Sequence, residues 1–269
     1  MKAIDPEYYK RIIKSIGFNK RLGQNFLLDD GVAKAEAVHV SGKRVLELGP
    51  GLGILTRRLC EEADFVTAIE IDKKLSEFLS ANLNSKNLKL INEDFFEVAD
   101  RESKNADIVA SNVPYQLSSK LLFWISRKGM PAVLCLQKEF VNRMMAQPGT
   151  NEYSRLSVFC SLQFRISEIM GVPSSSFYPP PKVDSKVVYL KPKGADISEK
   201  SSDIISLIME HKNKKLRNAI QDSSSMLGLD KAEARKIADS FDECDSRVFT
   251  LSPEALLNVS NKLSSLQKE

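Results

Sequence analysis

The chain is predicted to adopt an α/β fold: a Rossmann-like sheet followed by a small C-terminal all-helical domain. Three observations carry that prediction. A strand pattern, Arg44-Val45-Leu46-Glu47-Leu48, runs directly into Gly49-Pro50-Gly51-Leu52-Gly53, and a helical pattern takes over from Ile54 to Cys60. Apolar strand-length runs then alternate with helical ones as far as Ala146, the pattern of a parallel sheet with crossover helices. Past Lys191-Pro192-Lys193-Gly194 the texture is helical only, which places a domain boundary near 194, with domains 1–194 and 195–269.

Each element has a reason. The glycines let the backbone pass close to a ligand, and the helix that follows presents free amide groups at its start. The second strand, Phe65 to Ile71, carries Glu70, an acid about twenty residues beyond the glycines, where a carboxylate can grip two ribose hydroxyls. A dinucleotide fingerprint wants a third small residue three places after its second glycine. Ile54 stands there instead, and Glu47 precedes the loop, so the pattern argues against a nicotinamide dinucleotide. A third strand, Leu88 to Ile91, leads to Asp94, whose carboxylate can accept a hydrogen bond from an adenine amino group. This order of parts fits S-adenosylmethionine.

The fourth strand, Ile108-Val109-Ala110, runs into Asn112-Val113-Pro114-Tyr115. An exocyclic amine on a nucleobase is a poor nucleophile because its lone pair is delocalised into the ring. A pocket for it needs hydrogen-bond acceptors and a stacking face. The Asn112 amide oxygen and a carbonyl freed at the proline supply two acceptors; Pro114 fixes its own φ and pushes Val113 towards an extended conformation; Tyr115 offers the plane. By itself the tetrapeptide reads equally well as a strand end and a proline turn; the neighbouring motifs favour the pocket. Beyond it, the pattern predicts a helix from Leu117 to Ile125, a strand from Ala132 to Leu136 and a helix from Glu139 to Ala146. After a turn-rich break at Gln147–Asn151 come a helix from Ser154 and a terminal strand pair, Phe164 to Met170 and Lys186 to Leu190. Later helix starts are marked by Asp230 with Glu233 three residues on, and by Ser252 before Pro253.

The 269 residues carry a formal charge of +4, only mildly basic, so local clustering matters more than the sum. Lys10-Arg11, Lys14, Lys20-Arg21 and Lys212, Lys214, Lys215 and Arg217 form such clusters, either solvated faces or phosphate contacts. Cys60, Cys135, Cys160 and Cys244 show no Cys-x-x-Cys spacing, which fits a reducing compartment and gives no metal site. His39 and His211 lack ligand spacing, and no catalytic histidine is assigned. No apolar run suits a signal peptide or a membrane span, so the expectation is a cytoplasmic protein.

Five blocks, Lys20-Arg21-Leu22-Gly23-Gln24-Asn25-Phe26-Leu27, Glu47-Leu48-Gly49-Pro50-Gly51, Glu70 with Asp94, Asn112-Val113-Pro114-Tyr115 and Phe177-Tyr178-Pro179-Pro180-Pro181-Lys182-Val183-Asp184-Ser185, stand in the order of a known family. Over nearly its whole length the chain resembles the ribosomal RNA adenine N6-dimethyltransferases. Val113 stands where the commonest family form has Leu. The resemblance implies an S-adenosylmethionine-dependent methyltransferase that dimethylates the N6 amine of two adjacent adenosines in small-subunit ribosomal RNA, coupled to ribosome biogenesis. It implies that Asn25 and Leu27 close over the methionine end of the cofactor, that Gly49 and Gly51 line its floor, that Glu70 holds the ribose and that Asp94 reads the adenine. Asn112 would lie where methyl group and target amine meet, beside Pro114, with Tyr115 and Phe177 sandwiching the base. The expected partner is small-subunit ribosomal RNA or the pre-ribosomal small subunit, met by a monomer without metal. A large-subunit dimethylase and a non-catalytic assembly factor are the alternatives. The helical tail reads as a docking module, in which alanine at Lys212, Lys214, Lys215 and Arg217 should weaken particle binding and its salt dependence.

Overall fold

The computed structural model describes residues 5–17, 23–195 and 197–266; of the first motif block, Lys20, Arg21 and Leu22 lie outside the described residues. The element order is α1 (Pro6–Ile16), β1 (Phe26–Leu27), α2 (Asp30–Ala37), β2 (Arg44–Leu48), α3 (Ile54–Glu62), β3 (Phe65–Ile69), α4 (Lys73–Asn82), β4 (Leu88–Ile91), α5 (Phe95–Glu102), β5 (Ile108–Asn112), α6 (Ser118–Lys128), β6 (Ala132–Gln137), α7 (Lys138–Met144), α8 (Arg155–Gln163), β7 (Phe164–Val172), β8 (Phe177–Tyr178), β9 (Ser185–Pro192), α9 (Glu199–Glu210), α10 (Leu216–Asp222), α11 (Lys231–Ala238) and α12 (Pro253–Leu266).

Seven strands form one sheet in the order β4-β3-β2-β5-β6-β9-β7. The strands from β2 to β6 pair in parallel, and β9 returns antiparallel to β6. Continuous apolar runs explain the parallel body, since crossover helices bury both faces of such strands. Val45, Leu46, Val66, Ile108, Val109, Val133 and Leu134 are accordingly all at most 1% exposed, and each contributes roughly 1.5–3 kcal/mol of burial. β2 lies between β3 and β5, so strand order reverses there. In open α/β sheets, ligands bind outside the carboxyl ends of the strands at such a switch point.

Short acids start several of the helices by accepting otherwise unpaired amides. Asp29 accepts from Gly31 and Val32 at α2, Asp72 from Lys74 and Leu75 at α4, and Asp94 from Phe96 at α5. Helix α6 runs past the predicted Ile125 to Lys128. Gly129 stops it, in the left-handed conformation at φ 61°, with its N–H donating to Ile125 O and Ser126 O. The two-residue strands β1 and β8 pair antiparallel, Phe26 with Tyr178 and Leu27 with Phe177, joining the first and last motif blocks.

The chain divides into two compact units, Met1–Val141 with Ile166–Pro192, and Asn142–Arg165 with Lys193–Glu269. The single division at 194 read from the sequence keeps 142–165 with the sheet. In the structure, Tyr153, Val158 and Leu162 from that stretch pack instead with Ile204, Ile208, Leu216, Leu256 and Val259 of the helical unit. Tyr153, fully buried, donates its hydroxyl to Leu251 O at 2.9 Å. The capping box at Asp230 and Glu233 is formed as the sequence predicts. Among the described residues no helix is long and apolar enough to cross a membrane.

Candidate active site

The loops after β2, β3, β4 and β5 open onto one cavity of about 240 Å³. Asn25, Gly49, Gly51, Glu70, Asp94, Asn112, Pro114, Tyr115 and Phe177 all line it. Leu27, the remaining residue singled out in the sequence, faces a smaller adjoining pocket of about 40 Å³, which Asn25, Gly49, Gly51 and Asn112 also border.

Glu70 follows the end of β3 and is 4% exposed. Its Oε2 accepts the Gly51 N–H at 3.0 Å and its Oε1 accepts the Asp72 N–H at 2.9 Å. Burial raises its pKa, while the Asp72 and Gly51 amides pull it back. One carboxylate thus ties the glycine turn to the start of α4 and keeps a lone pair on each oxygen for a hydroxyl donor. Gly51 needs its glycine, because φ is 58° and a Cβ there would meet Phe26 Cδ1 at 3.2 Å. A Cβ at Gly49 would meet nothing within 4 Å, leaving backbone exposed to the cavity. Asp94 is partly buried, and only its Oδ1 is used, in capping α5 at 2.8 Å. Phe95, Phe96, Ile69 and half-exposed Ile71 supply apolar wall nearby.

On the other side, Asn112 closes β5. Its Oδ1 is buried and has no hydrogen-bond partner, an arrangement that costs stability unless a ligand satisfies it. Val113 N–H donates to Cys135 O at 3.1 Å, holding the turn against β6. The Pro114 carbonyl accepts the Leu117 N–H at 2.7 Å and retains one lone pair. Tyr115 is partly buried, and its hydroxyl is 3.0 Å from Ser185 Oγ. Burial raises the Tyr115 pKa, so the phenol stays protonated at neutral pH. Ser111, fully buried, donates to Leu48 O at 2.7 Å and so joins the end of β5 to the end of β2, one residue before Asn112 and one before Gly49.

Several cavity-lining groups carry no role assigned from the sequence. Ser185, Phe96, Gln24 and Ile71 line the cavity, yet Phe96 reads as an ordinary helix-start hydrophobic and Ile71 as an ordinary strand-end one until the turns are built. Glu47 borders the smaller pocket at 1% exposure, with Oε2 unpartnered. Burial, reinforced by the charge of Glu70, pushes its carboxyl up to about 8. Its place before the glycines was the available signal. Glu36 on α2 is fully buried with neither oxygen paired, and burial holds its pKa well above the ordinary range; nothing in its local sequence distinguishes it from a surface helix acid.

The basic cluster of the helical unit is engaged internally. Lys212 Nζ donates to Asn151 O and Tyr153 O, each at 3.0 Å. Lys214 pairs with Asp222 at 2.6 Å, Lys215 with Asp245 at 2.8 Å and Arg217 with Asp245 at 2.7 Å. Phosphate contact by these side chains would have to compete with those pairs.

The family model described as ribosomal RNA adenine dimethylase matches residues 16–263. A probable ribosomal RNA small subunit methyltransferase A of Thermococcus onnurineus is 38% identical over 90% of this chain and 90% of its own. Its namesake in Methanopyrus kandleri is 34% identical over 98% of this chain and 99% of its own. Among solved structures, a dimethyladenosine transferase from Plasmodium falciparum superposes with a TM-score of 0.76 at 26% identity, covering 88% of this chain and 98% of that one.

Proposed function

The chain belongs to the ribosomal RNA adenine dimethylase family, and from that premise we propose that it uses S-adenosylmethionine to dimethylate the N6 amine of two adjacent adenosines in small-subunit ribosomal RNA. The observation that carries the reading is that Asn112, whose buried Oδ1 has no hydrogen-bond partner, lines the same cavity as Glu70, Asp94 and the glycine turn.

The residues fit the cofactor. Glu70 retains acceptor capacity for a ribose diol, Asp94 has an unused carboxylate oxygen for an adenine amine, and the missing side chain at Gly49 leaves room for a ligand against the backbone. Asn25 and Leu27 would enclose the methionine end, over the floor formed by Gly49 and Gly51. When bound, S-adenosylmethionine supplies a methyl group on positively charged sulfur, already activated for displacement. The protein therefore has mainly to align and dry the site. Asn112 Oδ1 accepts from the target amine and points its lone pair, Pro114 sets the turn, and Tyr115 and Phe177 hold the base by its faces. Alignment of this kind is worth up to about 7–11 kcal/mol of a barrier. An unpaired or loop adenosine leaves its stack at least cost and is the expected target. The chain is read as acting as a monomer in the cytoplasm, on the assembling small subunit, with the helical unit docking the particle.

The large-subunit alternative is not favoured, since the relatives at 38% and 34% identity bear small-subunit names. Transfer of labelled methyl from S-adenosylmethionine to undermethylated small subunits, with nucleoside mass spectrometry, tests the proposal. Dimethyladenosine that disappears with Asn112→Ala is expected. Intact binding of cofactor and subunit without transfer would move the chain to the assembly-factor reading.

A further inference from the structure

We propose that Ser185 is a positioning residue for Tyr115, holding the stacking ring in one orientation through both methyl transfers; this rests on the function proposed above. Tyr115 begins a short 3-10 turn, Tyr115–Leu117, straight after Pro114. Such a turn fixes the backbone and leaves the side chain a choice of staggered wells for its first torsion, each of which carries the ring and its hydroxyl to a different place. A hydrogen bond at the far end of the ring selects one of those wells, because the phenol oxygen moves whenever the first torsion turns. Ser185 Oγ provides it at 3.0 Å, from seventy residues away in sequence.

Ser185 is itself held by the sheet. It is 1% exposed, opens β9, and pairs in register with Gln137 of β6. Two residues earlier on β6, Cys135 pairs with Val187 on one side and with Asn112 on the other. The acceptor for the target amine and the anchor for the stacking ring are thus set by the same strand ladder. Both Ser185 and Tyr115 line the cavity. The requirement is sharper for the second transfer, in which the amine already carries a methyl group and keeps a single N–H to donate, so fewer rotations about its bond to the ring bring its lone pair into line. A ring that tilts gives the monomethyl base room to settle out of line, so loss of the Ser185 hydroxyl should stall the reaction at monomethyladenosine.

The test compares wild type with Ser185→Ala, Ser185→Thr, Tyr115→Phe and the double variant Tyr115→Phe/Ser185→Ala, using undermethylated small subunits. A buried neutral hydrogen bond corresponds to about fivefold in rate. Ser185→Ala and Tyr115→Phe should each lower kcat about fivefold and lower the ratio of dimethyl to monomethyl product, with the dissociation constant for S-adenosylmethionine within twofold of wild type. The double variant should lose no more than either single one, and Ser185→Thr should restore the product ratio. Multiplicative losses in the double variant, or an unchanged product ratio in Ser185→Ala, would overturn the proposal. Ring order is read independently by NMR of protein labelled at tyrosine, where the Tyr115 signal should broaden or shift in Ser185→Ala. Were wild type inactive on subunits, the proposed function would fall; the NMR comparison would still decide Ser185, an identical Tyr115 signal in both proteins overturning it.

Discussion

Replacing Glu70 with Ala separates the cost of holding the cofactor site together from the gain of binding the cofactor. Without ligand, the change removes two acceptors, those of the Gly51 and Asp72 amides. A dry, unpaired amide costs about 1–3 kcal/mol, but these face a cavity that admits water, so the low end applies, near 2 kcal/mol for the two. Against this, the variant no longer buries a carboxylate whose pKa burial has raised, which returns part of the loss. Net stability should therefore change by no more than about 1–2 kcal/mol. Cofactor binding has no such compensation. Hydrogen bonds from hydroxyls to a carboxylate are worth about 1.5–3 kcal/mol each, so losing even one weakens S-adenosylmethionine by roughly 10- to 100-fold. Calorimetric titration alongside thermal unfolding reads both numbers on one preparation. A folded Glu70→Ala chain that binds S-adenosylmethionine within threefold of wild type would refute the ribose role.

Three further outcomes follow from the same structure. The Glu47 carboxyl has its pKa raised on folding, from 4.5 to about 8, so its contribution to stability is full below 4.5 and is lost as pH rises through about 8. Thermal unfolding between pH 5 and 9 should show that decline, and Glu47→Gln should flatten it. Gly53 has φ 78°, and a Cβ would lie against Leu83 and 2.7 Å from Leu79 Cδ2; Gly53→Ala should cost about 2–4 kcal/mol from left-handed strain and overpacking, measured by denaturant unfolding. Lys212→Ala should lower stability by about 1–3 kcal/mol at any salt concentration, because it strips a donor from the carbonyls of Asn151 and buried Tyr153; a loss confined to salt-sensitive particle binding would instead restore the phosphate-contact reading.

Much of the site is legible in sequence because its residues terminate strands. Gly49 follows β2, Glu70 follows β3 and Asn112 ends β5, so once the alternation of elements is read, the parallel topology brings them to one edge. What escaped depends on non-local geometry. The β1–β8 pair has only two residues in each strand, too short for any periodicity. The membership of residues 142–165 in the helical unit is decided by side chains such as Tyr153 that look like any buried aromatic. The state of Glu36 and Glu47 depends on burial by distant elements, and the internal pairing of Lys214, Lys215 and Arg217 depends on acids some way along the chain. A run of charges reveals its own sign but not its neutralisers.

The Ser111 hydroxyl that reaches across to Leu48 O has a mechanical meaning. On the proposed function, the donor and acceptor sides of the reaction hang from adjacent bars of a single ladder, cross-braced one residue before Gly49 and one before Asn112. Twisting or breathing of the sheet carries both along, so their separation is protected even while their absolute positions wander. Alignment for transfer would therefore be a property of the parallel strand ladder, whereas the aromatic wall that includes Phe177 rests on the two-residue strand β8. Heating should blur the grip on the base before it disturbs the line between methyl group and amine.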